Sequence, residues 1–197
     1  MIKKATLVSL AFVISTSTLI AKEHAVKSGE FYLVTKALLT TAETIHEGHG
    51  VEIEGKRGRG LGIDVGYTLP HNFAIEFDTS YSINSLYEKH TVIEGVEEKI
   101  EVKDARGHYW TYAFDVTYTL PLTDNIGIMG KLGYEFEHEA IDKFNINAHD
   151  SGIVYGAGIE YHLSEHYEAL IEYEGSTIDS PRGSSFYAGV KYIFDTI

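Results

Sequence analysis

Cysteine is absent from this 197-residue chain. Its absence excludes disulfide bonds, thiolate metal sites, cysteine nucleophiles and a lipid anchor on an N-terminal cysteine. Positive charge is also scarce, because 16 lysines and arginines stand against 29 aspartates and glutamates, for a formal net charge of −13. A nucleic-acid-binding protein would normally carry a basic patch, so no nucleic-acid partner is expected.

Long hydrophobic runs are missing as well. The mean hydropathy is −0.11, and no apolar run reaches the roughly 18 residues that mark a transmembrane helix. An ordinary helical membrane protein is therefore excluded. A β-barrel is not excluded, since barrel strands are only half apolar and give a weak hydropathy signal.

The N-terminus has the pattern of a targeting segment. A basic start at Lys3 and Lys4 precedes a mostly apolar segment that ends at Ala21. This pattern predicts a secretory signal peptide at residues 1–21 and one mature domain at residues 22–197. A single N-terminal membrane anchor is the alternative, although the segment is shorter than the ~20 residues that a spanning helix needs.

The stretch 61–83 shows the dominant pattern of the chain. Apolar residues alternate with small or polar ones in two runs joined by Pro70-His71-Asn72, and period-2 alternation around a short turn predicts a β-hairpin. One face is continuously apolar and aromatic, whereas the other carries glycine, hydroxyl and carboxylate groups. Either a protein core or a lipid bilayer would lie against the apolar face.

The same alternation recurs through the rest of the chain and predicts eight strands. Each strand has about nine to eleven residues, the length that a tilted strand needs to cross a bilayer. The connections alternate between long polar segments and short turns, as in outer-membrane barrels, where the short turns are periplasmic. EGVEEKIEVKD, within the long segment 85–107, is compatible with a small β-extension. The predicted strands lie near 31–41, 61–69, 73–83, 109–120, 126–137, 153–163, 167–174 and 186–194.

The predicted fold is therefore all-β, an eight-stranded antiparallel up-and-down transmembrane β-barrel. A soluble barrel such as a lipocalin is the alternative, with the apolar face turned inward. Three features favour the membrane: the polar face is rich in glycine and small residues, the apolar face is uncharged across the second to sixth strands, and aromatic residues cluster near both strand ends. In the first strand we assign Phe31 and Leu39 to the outer face, which turns Lys36 inward.

Several diffuse motifs resemble the OmpA/OmpX-like outer-membrane β-barrel proteins of Gram-negative bacteria. They are FYLVTKA in the first strand, GLGIDVGYTLPHN, YGAGIEYHLSEHYEALIEY and the closing FYAGVKYIF. The resemblance implies location in the outer membrane and biogenesis through the barrel-assembly machinery, although Asp195-Thr196-Ile197 follows the terminal aromatic Phe194. We expect a barrel domain alone, with no peptidoglycan-binding domain after it, and a monomer.

An eight-stranded barrel is just wide enough for its own side chains to fill it. The predicted lumen network comprises ten charged residues at inward positions, and its three lysines cannot pair its seven carboxylates. The resemblance implies charge pairing in the lumen, and we expect a mostly plugged, acidic interior with at most a small, cation-preferring conductance. A structural salt-bridge core is favoured over a working channel. The predicted lumen charges are Lys36, Asp64, Glu76, Asp78, Asp115, Lys131, Glu135, Glu160, Glu172 and Lys191.

Three other kinds of site have less support in the sequence. Some eight-stranded barrels deacylate lipid A with His, Ser and Glu, but near His138 the serine position holds Ala140, so we expect no enzyme. The histidine pairs His46 with His49 and His138 with His149 set no ligand geometry in irregular loops, so no metal or cofactor is expected. Contact with lipopolysaccharide phosphates, or ordinary solvated charge, accounts equally well for Arg57, Arg59, Arg106 and Arg182.

The resemblance implies a non-catalytic outer-membrane barrel that contributes to envelope structure. Its surface loops would be available for adhesion or for contact with a host or surface ligand. A narrow cation-preferring pore is the second hypothesis, and a lipid A-modifying enzyme is the third. No residue constellation identifies a substrate.

Overall fold

The structure, a computed structural model, describes residues 28–48, 51–94 and 97–195. The predicted signal peptide lies outside the described residues. Within them, no helix is long and apolar enough to cross a membrane. The nine strands of the described part are β1 Phe31–Thr40, β2 Thr44–Gly48, β3 Val51–Thr68, β4 Phe73–Glu94, β5 Glu97–Pro121, β6 Ile126–Ile141, β7 Ile146–His162, β8 Tyr167–Ser176 and β9 Ser185–Ile193.

Eight of these strands form a closed antiparallel ring. Each strand from β3 to β9 pairs with the next, β9 pairs with β1, and β1 closes the ring by pairing with β3. Closure leaves no sheet edge open to lipid, where unpaired backbone groups would be costly. The ninth strand, β2, pairs only with β3 and lies beyond the ring. The predicted eight-stranded up-and-down barrel is confirmed.

The exposed fractions of successive side chains show which face of each strand points outward. In β3, Leu61 is 70 % exposed and Ile63 48 %, whereas Asp64 between Ile63 and Val65 is only 2 % exposed. The burial of alternate residues in β1 likewise places Lys36 inside and Leu39 outside. The apolar face is therefore the outer face, which contradicts the lipocalin-like alternative. An apolar outer band around a polar interior is the arrangement of a barrel embedded in lipid.

Aromatic rings form a belt at each end of this outer band. Near the short turns, the ring centres of Phe31 and Tyr67 lie 4.8 Å apart. At the opposite end, the ring centres of Tyr81 and Trp110 lie 5.5 Å apart. Tyr and Trp favour the two membrane–water interfaces, so these belts delimit the spanning segment.

The short turns match the predicted positions, but several strands are much longer than predicted. β4 and β5 remain paired from Phe73↔Tyr118 up to Glu94↔Glu97, far beyond the ~9–11 residues that cross a bilayer. The long polar segments 46–59, 85–107 and 138–151 were expected as loops and are instead largely strand. Above the membrane both faces of a sheet contact water, so the apolar alternation that reveals a strand disappears. The predicted β-extension is thus confirmed and is larger than expected.

We call this extension the upper sheet and define it as β2 with residues 51–60 of β3, 84–94 of β4 and 97–107 of β5. It joins the ring where β1 ends and β2 takes over the pairing with β3. A register shift between Gly55 and Gly58 marks the joint. There Gly55 donates its N–H to the carbonyl of Glu43 at 2.8 Å.

We expect the upper sheet on the extracellular side and the short turns on the periplasmic side. Cysteine labelling tests this orientation, because the chain has no native thiol. Lys103 lies in the upper sheet and Asp124 in a short turn at the opposite end, and both are exposed. In intact cells, a maleimide too large to cross the outer membrane should label Lys103→Cys and leave Asp124→Cys unlabelled. Permeabilised cells should label both variants equally. Labelling of Asp124→Cys alone in intact cells would indicate the opposite orientation, with the short turns on the outside.

Candidate functional site

The barrel interior holds a continuous network of charged side chains. Lys36 lies near its centre, fully buried, and donates a hydrogen bond of 2.6 Å to Asp78. Its ammonium group also lies 2.9 Å from Asp64 and 4.2 Å from the centre of the Tyr187 ring. The aromatic face and the two carboxylates together replace the water that the ammonium group lost on burial.

Lys131 enters the same region from β6 and contacts more carboxylates than any other described lysine. Its Nζ lies 3.0 Å from Glu172 and 3.4 Å from Asp78. Carboxylates of Glu76, Glu174 and Asp115 lie between 3.6 and 3.7 Å away. Lys36 and Lys131 share Asp78, so the two cations form one central cluster with the surrounding acids.

A second cluster closes the periplasmic end. Lys191 pairs with Glu160 and lies 3.0 Å from Glu168. The His162 ring also contacts Glu168, and the Thr119 hydroxyl donates to Glu160 at 2.9 Å. Every lysine that alternation turned inward is therefore surrounded by carboxylates from neighbouring strands.

At the extracellular end the cation is an arginine from the loop between β8 and β9. Arg182 is only 3 % exposed. Its guanidinium contacts Glu135 at 3.0 and 3.2 Å, and its Nε lies 2.8 Å from Glu137. The hypothesis that Arg182 contacts lipopolysaccharide is therefore wrong. The loop thus folds back into the mouth of the barrel. There the guanidinium offsets the desolvation cost of two buried carboxylates.

Carboxylates greatly outnumber cations inside the barrel. The buried charged residues of the described part comprise ten carboxylates and four cations. Neither carboxylate oxygen of Asp115 has a hydrogen-bond partner among the described residues. Towards the long-loop end, Leu86, Tyr109 and Ile141 are also fully buried, and the Tyr109 hydroxyl donates a hydrogen bond to Glu139. The interior is filled, and its residual charge is negative.

All ten predicted lumen residues lie inside the barrel, and the structure adds others to the network. Glu137, Glu168 and Glu174 occupy inward positions in the predicted alternation but were left out of the predicted network. Tyr32 and Tyr187 donate hydrogen bonds to Glu76 and Glu174, at 2.6 and 3.0 Å respectively. The alternation places these three acids and two tyrosines at inward positions. No sequence pattern indicates the direction of the Arg182 side chain, because Arg182 lies in an irregular loop.

The upper sheet carries its own ion pairs. Glu54 on β3 accepts hydrogen bonds from Lys56 and from Lys89 on β4. These two bonds lower the pKa of Glu54 to about 2 and raise the pKa of Lys89. Glu54 thus stays ionised down to strongly acidic pH, and the pairing is lost only as the pH falls towards that lowered pKa.

The other three arginines are exposed. Arg57 lies within the joint on β3, Arg59 lies just after it, and Arg106 lies on β5. Arg59 faces outward opposite Leu39 and Ile83, at the rim of the apolar band. Arg106 helps to line an open crevice of about 580 Å³ beside the turn between β6 and β7. These positions are compatible with contact to phosphate or sulfate groups.

The structure places the histidines in specific contacts. His138 lies directly opposite His149 across the β6–β7 pair, and an amide oxygen of Asn147 lies 2.9 Å from its Nε2. His46 contacts Glu52, and His49 lies outside the described residues. No group of three or more His, Cys, Asp and Glu suited to a metal ion occurs in the described part of the chain.

A ring of strands with a lipid-facing apolar band and a charged interior defines a transmembrane β-barrel protein. The family model described as "Outer membrane protein beta-barrel domain" matches residues 7–194. The chain belongs to this family, which confirms the predicted resemblance, and the protein is located in the outer membrane.

Known structures share this fold at low sequence identity. OprG from Pseudomonas aeruginosa is 11% identical with a TM-score of 0.67, and the match covers 86% of this chain and 98% of OprG. Ail from Yersinia pestis, in complex with the heparin analogue sucrose octasulfate, is 16% identical with a TM-score of 0.55 over 85% of this chain and 100% of Ail. Neisserial surface protein A is 15% identical with a TM-score of 0.51 over 83% of this chain and 97% of that protein. A search of curated proteins gives no significant match.

Proposed function

We propose that the protein is a non-catalytic outer-membrane barrel that displays the upper sheet for contact with other surfaces. The observation that carries this proposal is the unbroken pairing of β4 with β5 up to Glu94↔Glu97. A barrel that served only to span the bilayer would need no such extension. Ordered strands hold a binding surface at low entropic cost, because little chain freedom is lost when a partner binds.

Two further observations support this role. The exposed Arg57, Arg59 and Arg106 offer planar, bidentate donors to phosphate or sulfate groups of a partner or of lipopolysaccharide. The resemblance in fold to Ail, whose structure holds a heparin analogue, makes a sulfated polysaccharide a suitable first probe. A catalytic role has less support, because position 140 is alanine and His138 is engaged by Asn147. A lipid A mass spectrum that is the same in cells with and without the protein would agree with a non-catalytic role.

Shortening the hairpin tests the proposal. Ser85 and Arg106 are register partners, so replacing residues 86–105 by an Asn-Gly turn should preserve the strand pairing below them. Bacteria that produce the shortened variant should adhere to epithelial monolayers no better than bacteria without the protein. Bacteria with the full-length chain should adhere severalfold better, and soluble heparin should compete if the partner is a sulfated polysaccharide.

The matched control keeps the β4–β5 hairpin and removes the exposed guanidinium groups at its base and on the neighbouring strand β3. A variant with Arg57, Arg59 and Arg106 all changed to Gln separates charge from shape, and heat-modifiability on a gel verifies folding of both variants. Adhesion by the shortened variant equal to that of the full-length protein would contradict the proposal.

A narrow cation-preferring pore is the second candidate, favoured by the excess of carboxylates in the lumen. The side chains that fill the interior leave little room for ions, so any conductance would be small. Planar-bilayer recording in a salt gradient measures both the conductance and its selectivity. A wide or anion-selective pore would contradict this reading of the lumen.

A further inference from the structure

Four aromatic side chains from adjacent strands form one row on the outer face of the barrel. Tyr81 on β4 is the register partner of Trp110 on β5, Trp110 of His138 on β6, and His138 of His149 on β7. Register partners on antiparallel strands lie about 4.5–5.5 Å apart at Cα. The two histidines are thus held side by side by the backbone of a paired sheet.

The imidazole rings of His138 and His149 are stacked. Their centres lie 4.3 Å apart and their planes differ by only 8°. Two imidazole nitrogens bound to one tetrahedral metal ion at ~2.0–2.1 Å lie roughly 3.3 Å from each other. Chelation therefore requires both rings to turn out of their parallel stacking, so that one nitrogen of each points at a shared ion, while the paired strands keep the two side chains next to each other.

Asn147 contacts the ring of His138. Its side-chain oxygen lies 2.9 Å from Nε2 of His138. An amide oxygen accepts, so this contact favours the neutral tautomer that carries its proton on Nε2 and its lone pair on Nδ1. A metal-ligating histidine usually donates its other ring N–H to an oxygen in this way. The hydrogen bond is independent of the stacking and points to the same function.

The pair lies at the extracellular surface of the membrane. A strand rises about 3.3 Å per residue and tilts by about 45°, so the segment from Ile126 to His138 rises roughly 28 Å. That is close to the thickness of the hydrocarbon core, ~30 Å. His149 is exposed, so a metal ion from the medium can reach the pair.

We infer that His138 and His149 form a binding site for a divalent transition-metal ion at the outer surface, with Asn147 as a positioning residue. Neutral imidazole suits Cu²⁺, Ni²⁺ and Zn²⁺. Two nitrogens from the protein leave the remaining coordination positions to water. The site needs no third protein ligand because two donors on paired strands are already preorganised.

Trp110 provides a built-in reporter, because it is the only tryptophan of the chain and lies directly opposite His138. Cu²⁺ bound at the pair should quench its fluorescence. In the full-length protein purified in detergent micelles, titration with copper sulfate should give saturable quenching. Zinc sulfate, which is redox-inactive, should restore the emission only in large excess, because nitrogen ligands bind Cu²⁺ more tightly than Zn²⁺.

Substitutions identify the ligands. His138→Asn and His149→Asn should each raise the half-quenching concentration at least tenfold, and the double variant should be little worse because either loss removes the chelate. His108→Asn is the matched control. His108 lies on the same outer face, where its Nδ1 contacts the Tyr81 hydroxyl at 2.7 Å, and its loss should leave the half-quenching concentration within twofold.

Asn147 requires a readout that separates positioning from folding. Asn147→Ala should weaken binding about 10- to 100-fold, whereas Asn147→Asp, which keeps an oxygen acceptor, should restore it. Every variant should keep its heat-shifted band on a gel. The inference is overturned if the full-length protein shows no saturable quenching, if His149→Asn titrates within twofold of it, or if His108→Asn is impaired as strongly.

Discussion

Replacing Lys131 by methionine is expected to lower the free energy of unfolding by roughly 3–5 kcal/mol. Methionine has a similar length but no charge, so five carboxylates within 3.7 Å of Nζ would lose their shared cation. Buried carboxylates that lose their partner retain the full cost of desolvation and also repel one another. This is the largest stability effect that we expect from a single substitution.

Urea unfolding in detergent micelles, followed by the fluorescence of Trp110, measures this loss. Lys103→Met is the control, because Lys103 is exposed on the upper sheet and surface substitutions usually stay within about 0.5 kcal/mol. Adding Asp115→Asn to Lys131→Met should recover part of the stability, since Lys131 is the cation that Asp115 contacts and one fewer carboxylate then lacks a partner. A loss below about 1 kcal/mol for Lys131→Met would mean that the central cluster does not depend on this cation.

Replacing Arg182 by alanine is expected to open the extracellular end of the lumen. The guanidinium anchors the β8–β9 loop to Glu135 and Glu137. Its removal vacates the space of a long side chain and leaves two carboxylates at the mouth. We expect the conductance to rise above that of the unaltered protein and to select cations, with the intact Lys191 cluster at the other end limiting the size of the rise.

Planar-bilayer recording of purified barrels measures this change. Arg106→Ala removes an exposed guanidinium and should leave the conductance unchanged. Arg182→Lys should raise the conductance by less than Arg182→Ala does. Its ammonium group keeps the positive charge but cannot bond both carboxylates in the same fork geometry. An unchanged conductance in Arg182→Ala would show that other contacts hold the loop, such as the hydrogen bond from Thr41 N–H to the carbonyl of Ser184.

The membrane-spanning half of the fold could be predicted from the sequence for a physical reason. Lipid outside and a narrow polar interior impose opposite demands on successive residues, so alternation reports the direction of each side chain. That logic assigned Lys36 to the interior even though Leu38 and Leu39 blur the phase of the first strand. The structure has the same phase, with Lys36 buried and Leu39 exposed.

Outside the bilayer this constraint disappears, and the prediction failed there. Residues 85–94 and 97–107 form strands without regular apolar alternation, because water lies on both sides. Arg182 belongs to an irregular loop, where sequence position says nothing about side-chain direction. The contact between His138 and His149 depends on the register of β6 and β7, and a shift of one residue at the turn would separate the rings.

The pairing of β1 with β9 has a consequence for the order in which the molecule can form. Hairpins such as β3–β4 join residues that are close in sequence, whereas closure brings Lys36 beside Gly189. Contacts between such distant residues form late, because a long loop must first be closed. Until the final strand arrives, two unpaired edges would face lipid, where exposed backbone groups find no water. Completion of the ring is therefore an all-or-none event, and a chain that lacks its last strand has no stable place in the bilayer.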